Sequence, residues 1–121
     1  MYTTYAFGES YRSVRIILLD CRYSKTSYFS EDSDVLGKAQ WEWLEGVFQE
    51  ATETFILIGS GTQILPIDRI ITEAWYPSSR EKLFNLIGKY KKSGVLLLTG
   101  DVHQGQILKT FCVHSSKNHY Y

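Results

Sequence analysis

Asp101 and His103 stand two residues apart in "GVLLLTGDVHQGQIL", where an apolar run ends in Thr-Gly. A carboxylate beside a neutral imidazole suits borderline or hard divalent and trivalent ions such as manganese, iron or zinc. In extended chain, residues two apart project to the same side, so both donors would face one ion. Gly100 lets the backbone turn closely beneath it. A tight turn is the competing reading, because Gly-Asp is a common turn pair and a lone Asp-x-His often arises by chance. Other polar positions adjoin apolar runs. Asp20 ends "SVRIILLD", either as a site residue with Arg22 or as a turn acid with Arg22 as its surface partner. Gly59-Ser60-Gly61 lacks the spacing of any named phosphate loop and reads as a sharp strand exit. Trp75 fits a core position and Gln40 a solvent-facing one. His114 and His119, in or near an unpatterned tail, carry no assignment.

Such residues act together only if a scaffold brings them to one place. Ser13 to Asp20 reads as a strand, and its run Ile16 to Leu19 is continuously apolar, as in strands covered on both faces. The polar, serine-rich "CRYSKTSYFSEDSD" reads as a surface loop. In "VLGKAQWEWLEGVFQEA", Leu36, Ala39, Trp43, Leu44, Val47, Phe48 and Ala51 recur at helical spacing, with Trp41 off the stripe. Asp34 or Ser33 can cap that helix. Thr54 to Ser60 reads as a second buried strand. "TQILPIDRIITEAWYP" has no clean period and reads as a long connection with room for one short helical turn. Ser78 and Glu81 make a capping box for a helix that carries Leu83, Leu86, Ile87 and Tyr90 on one face and stops near Gly94. Val95 to Leu98 is a third buried strand, and Gln106 to Val113 fits a fourth. Alternating strands and helices predict an α/β layered sheet with parallel pairs. Asp20, Ser60 and Asp101 then follow strand ends that can share one edge, where such sheets gather functional groups.

The whole chain bounds the function. Its 121 residues suit one domain, and 44% hydrophobic with 21% charged residues describes a foldable chain. Thirteen Lys and Arg balance thirteen Asp and Glu, so no nucleic-acid partner is indicated. Lys89, Lys91 and Lys92 cluster where a helix should end, which opposes the negative end of its dipole. Cys21 and Cys112 sit in apolar-rich segments and read as a reduced, buried pair, with a disulfide open as the alternative. "MYTTYAFGES" does not read as a signal peptide, and no apolar run approaches the ~20 residues of a membrane span. Nothing in the sequence gives a localisation.

Several segments in order, "VRIILLDCRY", "LGKAQWEWLE", "ILIGSGTQILP", "EAWYPSSREKLFNLI" and "GVLLLTGDVHQGQI", resemble the PhoD-like metallophosphatases over roughly residues 2 to 110. Each motif alone is weak, and their common order makes the resemblance strong. Cys21 departs from it, since the family commonly has threonine there. The resemblance implies a calcineurin-like α/β sandwich, with mainly parallel buried strands and two amphipathic helices. It implies hydrolysis of a phosphate ester at a two- or three-metal centre of iron, calcium, manganese or zinc. By position, Asp101 matches a metal ligand and His103 its companion, as ligand or as a group touching the phosphate or leaving oxygen. Asp20 and Arg22 match residues that shape the catalytic site, and Trp75 matches a substrate-binding position. The family's other metal ligands come from motifs upstream of those present. The chain is therefore expected to be the C-terminal portion of the domain, a single incomplete unit over 1–121. It should be weakly active or inactive alone, and prone to associate through an uncovered sheet. A non-catalytic interaction or regulatory product of the same family is the alternative.

Overall fold

A hairpin begins the chain, where the sequence pattern gave no element. The computed structural model describes residues 1–66, 74–90, 93–101, 103 and 105–110. Strand β1 (Thr3–Phe7) pairs antiparallel with β2 (Val14–Leu18), from Thr3 opposite Leu18 to Phe7 opposite Val14. A single 3-10 turn, Ser10–Arg12, joins them. Gly8 opens that turn at φ 77°, and a Cβ there would lie 2.1 Å from the Arg12 carbonyl oxygen, so only glycine fits. β1 is rich in threonine and aromatic residues, which suit a strand, but its pairing partner defines it.

Helix α1 (Lys38–Glu50) leads to β3 (Phe55–Ser60), and α2 (Pro77–Tyr90) leads to β4 (Val95–Thr99). Gly94, at φ 74°, makes the turn into β4 where a Cβ would meet the Thr54 carbonyl at 2.4 Å. The sheet order is β1-β2-β3-β4, with β2, β3 and β4 parallel. The expected mixed α/β layer is therefore present. Gln106–Thr110, expected to start a further strand, is irregular, and residues 111–113 lie outside the described residues. The chain turns through positive φ at Asp101 and His103 after β4, and no ladder forms on that side among the described residues.

Both helices pack on one face of the sheet. Ile17, Ile56 and Ile58 on that face are buried with Leu44, Val47, Phe48, Leu83 and Ile87. The register puts Tyr5, Ile16, Leu57 and Leu96 on the opposite face. The buried stripe of α1 is Gln40, Trp41, Leu44, Val47 and Phe48, rotated from the stripe expected. Trp41 is buried rather than off the stripe, Ala39 is exposed, and Trp43 is half-buried against Tyr2. Leu86 is half-buried, not part of the buried core.

Neither expected helix cap forms as predicted. Gly37, at φ 75°, is the N-cap of α1 and gives no side-chain cap. Asp34 instead accepts from the Gly37 N–H at 3.0 Å, the Trp41 indole N–H at 2.8 Å and the Ser79 hydroxyl at 2.9 Å. Pro77 begins α2, a position that suits proline, so Ser78 and Ser79 fall inside its first turn. Their hydroxyls reach back to the Ser33 carbonyl and to Asp34. Asp34 thus ties the starts of both helices together. Burial, its largest single influence, pushes its pKa up, but the donors from Trp41, Ser79 and the backbone together hold it below the usual value.

Lys89, in the last turn of α2, pairs with Glu45 at 2.8 Å, in keeping with a solvated helix end. No helix among the described residues is long and apolar enough to cross a membrane.

Candidate functional site at the carboxyl edge of the sheet

Because β2, β3 and β4 are parallel, their carboxyl ends lie along one edge, followed by Asp20, by Ser60 and Gly61, and by Gly100 and Asp101. Gly100 lies close to the Gly61 carbonyl, so the exits of β3 and β4 are neighbours.

The β2 exit is held from behind by Gln40. Its side-chain amide accepts from the Asp20 N–H at 2.9 Å and donates to the Asp20 carbonyl at 2.8 Å. It also donates to the Leu36 carbonyl at 3.2 Å. Gln40 is therefore buried, not solvent-facing, and it holds both backbone polar groups of Asp20. The Asp20 carboxylate accepts from the backbone N–H groups of Arg22 at 3.1 Å and Tyr23 at 3.0 Å, and its other oxygen meets the Met1 amino group. The Met1 contact first, then the Tyr23 and Arg22 amides, lowers the Asp20 pKa to about 2. In this arrangement Asp20 is an ionised acceptor that shapes a turn. Arg22 is exposed just beyond it.

The β3 exit is organised by one hydroxyl. Ser60 Oγ donates to the Thr62 carbonyl at 2.7 Å and accepts from the Trp75 indole N–H at 3.0 Å. It lies 3.2 Å from the sulfur of Cys21, a buried free thiol. Cys112 lies outside the described residues. Trp75 is buried, with its ring edge-on to Trp41 at 6.2 Å. It supports the edge from within and commits its indole N–H to Ser60.

The β4 exit differs. Asp101 and His103 are both exposed, with φ of 82° and 53°. The alternation of an extended chain therefore does not apply to them, and they share a place by another route. Both line one groove of ≈ 820 Å³ that runs beside β4 toward Gln106–Thr110. Asp20, Arg22 and Trp75 stand on or under the same sheet edge but do not line this groove. No group of three or more His, Cys, Asp or Glu among the described residues is placed to hold a metal ion.

The sequence reading missed Gln40, Ser60 and Asp34 as organisers of this edge. A glutamine within the apolar stripe of α1 was the available signal for the first. The other two depend on partners up to 45 residues away.

A parallel-stranded α/β sheet with its polar groups at the carboxyl edge defines a broad class of ligand-binding and catalytic domains. Within it, the family model of the PhoD-like phosphatases matches residues 1–117, and the chain belongs to that family. Among solved structures it is similar to one titled "Structure of PhoD", at TM-score 0.71 and 21% identity. That match covers 84% of this chain and 23% of the other, so this chain spans about a quarter of that structure's length. The likeness shows a shared fold. No curated protein matches significantly.

Proposed function

We propose that this chain is the C-terminal portion of a metal-dependent phosphoric ester hydrolase with a calcineurin-like sandwich. In this reading Asp101 and His103 belong to a metal centre whose other ligands lie outside residues 1–121. The observation that carries it is the family match, whose span of residues 1–117 includes the carboxyl-edge segments of all three parallel strands. The described donors do not fit a complete centre by themselves, because hydrolytic metals each need about three protein ligands or more. Asp20 and Arg22 act by shaping the edge, where the Asp20 carboxylate accepts from the Arg22 and Tyr23 amides. Trp75 serves substrate binding by supporting that edge through Ser60. The substrate is a phosphate ester, whose organic part the family match leaves undefined. The bare apolar face of the sheet belongs under a further layer, and the chain alone should self-associate through it.

The test is an assay of the 121-residue chain with p-nitrophenyl phosphate and its bis-ester, with manganese, zinc, iron or calcium. The chain alone should give background rates. Adding the upstream part of a PhoD-like enzyme as a second polypeptide should restore turnover that Asp101→Ala and His103→Ala each abolish. Turnover indifferent to both substitutions would overturn the site assignment. Ordinary enzymatic rates from the chain alone would overturn its incompleteness.

A further inference from the structure

Gln63 is buried, and its side-chain Oε1 accepts no hydrogen bond among the described residues. Buried polar atoms are overwhelmingly paired, and an orphan is costly. The backbone carbonyl of Gln63 is by contrast paired. The residue bridges to Ala74, and its carbonyl accepts the Trp75 N–H at 2.8 Å. The residue is thus anchored on the same edge as Ser60 and Trp75, with one acceptor left over.

That residue lines the groove beside β4 described above. The groove has two kinds of wall. Leu65, Phe84 and Leu97 supply an apolar side, while Asp101, His103 and Lys109 supply the polar groups after β4. An orphaned carbonyl oxygen calls for a donor from outside. The apolar side favours an uncharged body carrying it. Oε1 itself is buried, and the broad terminal torsion of a glutamine amide is the route by which it would turn to meet a ligand in the groove.

We propose that this groove binds an apolar-bodied alcohol whose hydroxyl donates to Gln63 Oε1. In one respect this rests on the proposed ester hydrolysis. There the alcohol would be the organic part of the ester, bearing a free hydroxyl besides the esterified oxygen, with the phosphate toward Asp101 and His103.

The experiment uses the whole 121-residue chain, without metal or phosphate, titrated with benzyl alcohol and with ethylbenzene, which replaces the hydroxyl by a methyl group. Amide ¹H–¹⁵N spectra report the Gln63 side-chain NH₂ signals and the two affinities. Benzyl alcohol should shift those signals and bind at least roughly ten-fold more tightly than ethylbenzene, as for a ligand that pairs a buried acceptor. Gln63→Leu, close in volume and without the orphan, should fold and bind the two probes equally. Gln63→Met gives the same reading if leucine disturbs the fold. Equal binding to the wild-type chain, unmoved Gln63 signals, or a preference that survives both substitutions would overturn the proposal. Since neither metal nor phosphate is present, failure of the hydrolysis leaves this result standing, and the reverse also holds.

Discussion

The two faces of the sheet are built from similar residues and meet different fates. On one, Ile17, Ile56 and Ile58 are 0% exposed beneath α1 and α2. On the other, Tyr5, Phe7, Leu18, Phe55, Leu96 and Leu98 keep between 45% and 59% of their surface in solvent. Apolar strands of this kind normally belong to sheets covered on both sides. Such strands suit two layers of cover, and the described residues supply one. Apolar runs in a sequence therefore report how much cover a strand is built for, while α1 and α2 decide which face is met here.

The comparison breaks or holds first at its deepest point. Leu44→Ala and Ile58→Ala remove fully buried side chains and should each cost about 2–5 kcal/mol of stability. That is a large share of the roughly 5–15 kcal/mol typical of a domain. Urea denaturation followed by circular dichroism measures it. Midpoints unchanged in both variants would mean that the helix-covered face is not the core.

A smaller effect should come from the ion pair at the margin of that face. Arg15 holds Glu53 with two hydrogen bonds of 2.8 Å, and the Arg15 contact is the main cause of Glu53's lowered pKa. Burial works against this shift and is outweighed. The sign follows from linkage. A carboxylate whose folded pKa lies below its ordinary 4.5 contributes stability that is present above that value and lost as pH falls through the folded pKa. Acid should therefore lower the urea midpoint below about pH 4.5, with Asp34 acting in the same direction. Glu53→Gln should cost about 1–3 kcal/mol at neutral pH and flatten part of that acid slope. An unaltered slope would assign the acid sensitivity elsewhere.

Leu86→Ala should cost less again, about 1 kcal/mol, because Leu86 is only half-buried beside the core. A loss equal to that of Leu44→Ala would show that α2 buries this position more deeply than the structure does.

Much of this arrangement is legible in the sequence, for reasons that also explain the failures. β2, β3 and β4 announce themselves by uninterrupted aliphatic runs, and both helices by recurring apolar spacing. β1 does not, since five residues at a sheet edge draw their identity from pairing with β2. The stripe of α1 was misplaced because tryptophan at 41 and at 43 suits either neighbouring face. Gln40 decides it, and its partner Asp20 is distant in sequence. At the site, the residue types of Asp101 and His103 suggested metal chemistry, and the family match gives that suggestion its context. Their geometry was not readable, because left-handed φ at both positions is a property of the turn rather than of residue spacing. Gln63, buried with an orphaned acceptor, looks in sequence like any polar residue of a loop.

The smallest expected effect on stability falls on the bare face, and it is the one that separates the two faces most cleanly. Leu96 and Leu98 are more than half exposed, so replacing either by lysine removes little buried surface and should change stability by no more than about 0.5 kcal/mol. Their neighbours across the sheet are Leu57 and Gly59, so a charge there sits on the β4 margin of the apolar face without meeting a like charge on β3. Association is another matter. A contiguous apolar face spanning four strands is the kind of surface that drives copies together, and a lysine within it must be desolvated when a second copy docks. Sedimentation velocity over a range of concentrations should show the wild-type chain associating and Leu96→Lys with Leu98→Lys shifted toward monomer. A wild-type chain that stays monomeric at high concentration would show that one layer of helices suffices. An association that both lysines leave untouched would move the interface off this face.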